Sequence, residues 1–170
     1  LSMIADKVSE SVNMCCTDEV ATEDWDLTEL NRVIRQIIPL QPITSETLEG
    51  IKNTKQLIEK LTDEANALYA AKEAEFPDAF REIERVILLR VIDRKWMEEI
   101  DDMEQLRQGI GMQAFAQRNP IDEYKMASYD MLDAMNDAIR TETVQMLYRI
   151  RIEKKVEREE VAKVTGTNKD

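Results

Sequence analysis

A chain of 170 residues has room for one ordinary domain, or for a small domain with a long appendage. Acidic residues outnumber basic ones 35 to 23, and the net charge of −12 opposes binding of nucleic acid or anionic lipid over most of the surface. Glu, Lys, Leu, Ala, Met and Ile dominate while Gly and Pro number only four each, a composition that points to an all-α protein. No run of about 18 apolar residues occurs, so no segment is expected to span a membrane.

The first predicted helix carries an apolar stripe at Ile4, Val8 and Val12 and ends near Cys16. The chain opens without a methionine, already in mid-helix pattern, and is expected to be a piece of a larger protein. Cys15 and Cys16 are adjacent, whereas a disulfide framework needs separated pairs, and the further soft ligands of a zinc site are missing. Both are expected to be reduced helix residues of a cytoplasmic protein. After a polar break, Asp26 and Glu29 have the spacing of a capping box, and Leu27, Leu30, Val33, Ile34, Ile37 and Ile38 come next on one helical face. Pro39 and Pro42 end that helix, because each lacks a donor and pushes its predecessor out of the α region. Thr44 or Ser45 caps a short helix ending near Gly50. Asn53 or Thr54 then opens a longer one that runs to Phe76, with Leu57, Ile58, Leu61, Ala65, Leu68 and Tyr69 inward. Residues 18–76 read as a small helical module, too small to bury much core alone and expected to lean on the C-terminal half of the chain.

Pro77 and Asp78 begin the main feature. Phe80, Ile83, Val86, Ile87, Val91, Ile92, Trp96, Ile100, Met103, Leu106 and Ile110 recur every three or four residues. That predicts a helix of about 30 residues, or about 45 Å. Gly109 and Gly111 fall together at its end, where glycine's tolerance of the left-handed conformation closes helices, so residues 106–120 read as a loop. Asn119 and Pro120 restart a helical pattern. The returning helix carries Tyr124, Ala127, Met131, Ala134, Met135, Ala138, Ile139, Met146 and Ile150, small and pliable side chains suited to close antiparallel packing on the first. After Ile152 the pattern dissolves into a charged tail that is expected to fray.

A search for catalytic chemistry returns almost nothing. Glycines at only Gly50, Gly109, Gly111 and Gly166 exclude a G-x-x-x-x-G-K-[ST] phosphate loop. The absence of histidine removes Ser-His and Cys-His nucleophiles and the Glu-x-x-His signature of di-iron bundles. Glu98-Glu99 and Asp101-Asp102 point to different helix faces and read as solvated charge rather than metal ligands, so no metal site is expected. The methionines read as packing. Trp96 lies on the apolar stripe and reads as a core anchor.

One string of residues is more informative. Val91-Ile92-Asp93-Arg94-Lys95-Trp96-Met97 leads to Met103-Glu104-Gln105-Leu106-Arg107-Gln108-Gly109-Ile110, then Ala114-Phe115-Ala116-Gln117, Pro120 and Glu123-Tyr124-Lys125. In this order the string closely resembles the SecA family of bacterial protein-export motors, in which a D-x-x-W run precedes M-D-x-L-R-Q-G-I, an L-R-x-Y-A-Q-x-x-P loop and an E-Y helix. Glu157-Arg158-Glu159-Glu160-Val161-Ala162-Lys163 matches the way the scaffold helix of that family ends, and residues 18–76 resemble it loosely.

The resemblance implies a division into residues 1–17, the end of a long scaffold helix; 18–76, a helical wing domain; 77–155, a helical scaffold with a two-helix finger; and 156–170, the start of a C-terminal linker. It implies that the fingertip Met112, Gln113, Ala114, Phe115, Ala116, Gln117 and Arg118 enters the SecY channel of SecYEG and pushes an unfolded preprotein. It further implies that Asp93, Trp96 and Arg107 couple to the motor domains, and that the hairpin restrains ATP hydrolysis until substrate engages. An apolar ring can grip a moving chain without reading its sequence. Phe115 stands where the family usually has tyrosine, losing the hydroxyl and keeping the ring; Gly111-Met112-Gln113 replaces a common His-Leu-Arg, leaving Arg118 as the tip's cation. No cofactor is expected in this chain, with ATP and Mg2+ belonging to the parent's motor domains. The implied location is the bacterial cytoplasm, peripheral on the inner face of the plasma membrane. Helices taken from a larger protein leave contact faces uncovered, so self-association of the piece is expected. The rivals are a free-standing helical adaptor or coiled-coil protein, on composition alone, and a carboxylate metalloenzyme, disfavoured by the missing histidines.

Overall fold

The computed structural model describes residues 1–113 and 119–151. Among them are five α-helices and no strand: α1 (Ser2–Cys15), α2 (Leu27–Ile37), α3 (Thr54–Glu75), α4 (Phe80–Gln113) and α5 (Pro120–Arg149). The expected all-α architecture is the one observed. The capping residues read from sequence take their places. Asp26 accepts from the Glu29 amide at 2.9 Å at the start of α2, and Asn53 accepts from the Gln56 amide at 2.9 Å at the start of α3. Thr44 caps a 3-10 turn at Ser45–Leu48. Gly50, with φ of 84°, then reverses the chain in a conformation that favours glycine.

α1 runs through the middle of the core. Its stripe Ile4, Val8 and Val12, extended by Cys16, meets Leu30 and Ile34 of α2 and Leu57, Leu61 and Ala65 of α3, all buried. The connection after α2 is held by Asn31, whose amide donates to the Leu27 and Ile43 carbonyls and accepts from the Ile43 amide, each at 2.8 Å. That brings Leu40 and Ile43 into the core from a segment that Pro39 and Pro42 keep out of helix. The Asp18 carboxylate accepts from the Thr54 amide at 2.7 Å and from its hydroxyl at 3.1 Å, closing the loop after α1 onto the start of α3. Two inward expectations on α3 are relaxed: Ile58 is only partly buried, and Leu68 is exposed because no described helix covers its side of α3.

The core is completed by the base of the α4–α5 pair. Phe80, Val144 and Tyr148 are buried in the same cluster as α1, α2 and α3. Tyr69 stacks edge-on with Phe80 at 5.3 Å and with Tyr148 at 6.3 Å between ring centroids. The Tyr148 hydroxyl donates to the buried Ala65 carbonyl at 2.9 Å, and the Tyr69 hydroxyl donates to the Glu84 carboxylate. The two long helices run antiparallel. Arg94 and Lys95 pair with Glu142, Ile83 and Ile87 lie opposite Met146 and Ile150, and Glu98 and Asp102 lie opposite Met131 and Ala138.

Two expectations about this hairpin are corrected. α4 does not stop at Gly109: it passes through Gly109 and Gly111 to Gln113, 34 residues in all. Interior glycine costs a helix only about 1 kcal/mol relative to alanine, which a helix of this length absorbs. The expected loop therefore begins no earlier than residue 114, and its remainder up to residue 118 lies outside the described residues. Nor do the alanines make a tight seam. Ala134 and Ala138 border a gap of about 200 Å³ with Lys95, Glu98 and Asp102, because these short side chains face charged ones that do not fill the space.

Several groups among the described residues, three of them buried, set an alkaline limit on stability. Burial, then the neighbouring Cys15 and Asp26, pushes the Cys16 thiol from 9.0 to about 11. Burial also pushes the Tyr148 phenol upward. Burial opposes the charge of Lys7, but its hydrogen bonds to Asp137 and Glu10 outweigh this and hold its ammonium above 10.5. In the fold each keeps its proton to a higher pH than in the unfolded chain. Each therefore stabilises fully below its unfolded pKa, and that contribution is lost as pH rises through the folded value. Urea titrations are expected to give an unfolding free energy that declines above pH 9, and Cys16→Ala should remove the part of the decline between 9.0 and about 11.

Candidate functional site

The residues implicated in motor coupling share one side of α4. At about 100° per residue, Asp93, Trp96 and Arg107 fall within about 60° of arc. Around them on that side are Leu89 (52% exposed), Met97 (61%) and Ile100 (49%). The opposite directions are taken. Ile83, Ile87 and Lys95 face α5, while Glu84 and Leu88 face α1 and Tyr69 of α3. This apolar stripe therefore points away from every other helix described.

Trp96 is 53% exposed, so it is not the core anchor that its place in the repeat predicts. The physical reason is that the apolar residues of α4 are spread around the helix, and its neighbours cover only part of the circumference. Past Val91 no described side chain of α4 is buried, and before Thr143 the only buried residue of α5 is Met135. The hairpin projects from the core for most of its length. The one charge in the middle of the stripe, Asp93, is exposed and has no ion pair among the described residues. Arg107 is pinned along its own helix, its guanidinium donating to Glu104 at 2.6 and 2.9 Å. Arg107, with help from Gln108, holds the Glu104 carboxyl below its ordinary value.

At the base of the hairpin is a feature that the sequence does not announce. A groove of about 530 Å³ opens between α4 and α5, bordered by Ile83, Val86, Ile87, Met146 and Ile150 with Arg90 at its edge. The two apolar stripes predict a continuous seam here. Periodicity says which residues share a face and not how far apart two faces stand. The fingertip is only partly placed: Met112 and Gln113 lie in the last turn of α4, while Ala114, Phe115, Ala116, Gln117 and Arg118 fall outside the described residues. Among the described residues no group of His, Cys, Asp and Glu is arranged to hold a metal ion, and no helix is long and apolar enough to cross a membrane.

If the stripe is uncovered in this chain, Trp96→Ala should change the unfolding free energy by less than about 1 kcal/mol. Phe80→Ala, which empties a fully buried site, should cost about 3–5 kcal/mol. Urea denaturation of the two variants separates them, and equal losses would return Trp96 to the core.

The family model of the SecA wing and scaffold domain matches residues 1–151. The protein translocase subunit SecA of Lachnoclostridium phytofermentans is 54% identical over 171 residues, covering 99% of this chain and 20% of that protein. That of Clostridium novyi is 40% identical over 168 residues, covering 98% and 20%. That of Clostridium tetani is 45% identical over 145 residues, covering 82% and 17%. The chain thus spans about one fifth of the length of the curated relatives it matches. The helical module, the projecting hairpin and this match together make the chain a member of the SecA family, in its wing and scaffold region.

Proposed function

We propose that this chain serves as the wing and scaffold of a SecA motor that drives unfolded preproteins through the SecYEG channel. The observation that carries this reading is the uncovered apolar stripe of α4, with Trp96 near its middle, on a hairpin buried mainly at its base. An exposed apolar stripe of this extent marks a contact surface. The parent's motor domains are its natural occupant, with Asp93, Trp96 and Arg107 in the contact. Contact there restrains ATP hydrolysis, and movement passes along the hairpin to the fingertip.

In this reading residues 1–17 close a long scaffold helix, 18–76 form the wing, 77–155 the scaffold and finger, and 156–170 begin the linker. ATP and Mg2+ act in motor domains outside this chain. The parent works peripherally on the inner face of the plasma membrane. Separated from those domains, the chain self-associates through the stripe. The free-standing adaptor has only composition in its favour, whereas translocase subunits match nearly the whole chain.

The test is made in the full-length parent. Phe115→Gly removes the apolar ring at the end of a lever about 50 Å long, far from the nucleotide. Translocation should slow about tenfold or more, the factor that about 1.4 kcal/mol of lost grip produces, while basal ATP hydrolysis persists. Phe115→Tyr keeps the ring and should translocate at close to the unmodified rate. Unchanged translocation by Phe115→Gly would falsify the fingertip role.

A further inference from the structure

Lys7 is the one buried charged residue among those described, 3% exposed in the middle of α1. Its ammonium donates to Glu10 on its own helix at 2.7 Å and to Asp137 on α5. Both carboxylates are half exposed, so the charge lies beneath a polar rim rather than in a closed apolar cavity. Asp137 sits about two helical turns nearer the tip than Val144, the buried residue that anchors α5 in the core. A long rod gripped at one patch can swivel about it, and apolar packing is not directional. A second, charge-assisted hydrogen bond farther along the rod is directional.

We propose that Lys7 is a positioning residue: its bond to Asp137 fixes the direction in which the α4–α5 hairpin leaves the helical module. The inference rests on the lever reading above, because direction matters only if the hairpin transmits movement. It adds the point about which that movement is set. Removing the ammonium frees two carboxylates that already reach water, so Lys7→Met keeps the packed stem and the fold while deleting the directional bond. Asp137→Ala deletes both the acceptor and the charge on α5 and leaves Lys7 on Glu10.

The test measures direction separately from stability. Spin labels on non-natural keto amino acids at Glu59 of α3 and Asp101 of α4, both exposed, report the module-to-hairpin distance without touching Cys15 or Cys16. Lys7→Met should melt close to the unmodified chain and show a broadened, shifted distance distribution, and Asp137→Ala should broaden it likewise. An unchanged distribution in a folded Lys7→Met chain overturns the proposal and leaves the pair as mere neutralisation of a buried charge. Should Lys7→Met fail to fold, the Asp137→Ala distribution decides in the same way. In the full-length parent, Lys7→Met should reduce translocation per ATP hydrolysed by about fivefold or more. A broadened distribution with undiminished translocation would sustain the positioning role and sink the lever reading; an unbroadened one sinks the positioning role whatever the translocation rate.

Discussion

Tyr148 is where the hairpin is fastened to the helices that carry it. Its ring lies against Tyr69 of α3, which in turn meets Phe80 at the first residue of α4, so three helices converge on one aromatic cluster. Its hydroxyl is buried and satisfied by the Ala65 carbonyl, a bond that only one placement of α5 on α3 allows. Beyond the contacts of Leu88 and Val144 with α1, the ion pair between Lys7 and Asp137 ties the hairpin to α1 farther out. The module can be small because this cluster and Val144 extend its core across the hairpin base.

Anchoring at one end explains an otherwise contradictory α4. A helix with apolar residues around its circumference belongs in a large core, yet this one is covered on only part of its surface. Glutamate and arginine at i, i+3 spacing stabilise it where packing does not, as in Glu82 with Arg85 and Glu104 with Arg107. Such exposed pairs hold a helix together cheaply without committing its apolar side to any partner among the described residues. The stripe that includes Trp96 is left available to whatever surrounds the hairpin in the much longer relatives.

Where expectation and structure part, two causes are at work. Gly109 and Gly111 carry a stop signal, yet α4 continues through both to Gln113, because a mild local preference is outweighed by the long run of favourable helix residues before them. Trp96, Ile100 and Leu68 belong to correct helical stripes and are nonetheless exposed, because a stripe is buried only where a second element meets it. The groove between Ile83, Ile87, Met146 and Ile150 was hidden for the same reason.

The sequence by itself determined the helices, most of their caps and the antiparallel return. These depend on local hydrogen bonding and on spacing along one chain, as at Asp26, Asn53 and Asn119. It also carried the family, through a string of residues running from Val91 to Lys125. Only the tertiary structure decided which stripes find partners, that Lys7 is buried and paired across to Asp137, and that the hairpin is gripped at its base. Those outcomes depend on distances between elements far apart in sequence, and periodicity within one helix contains no information about the separation of two.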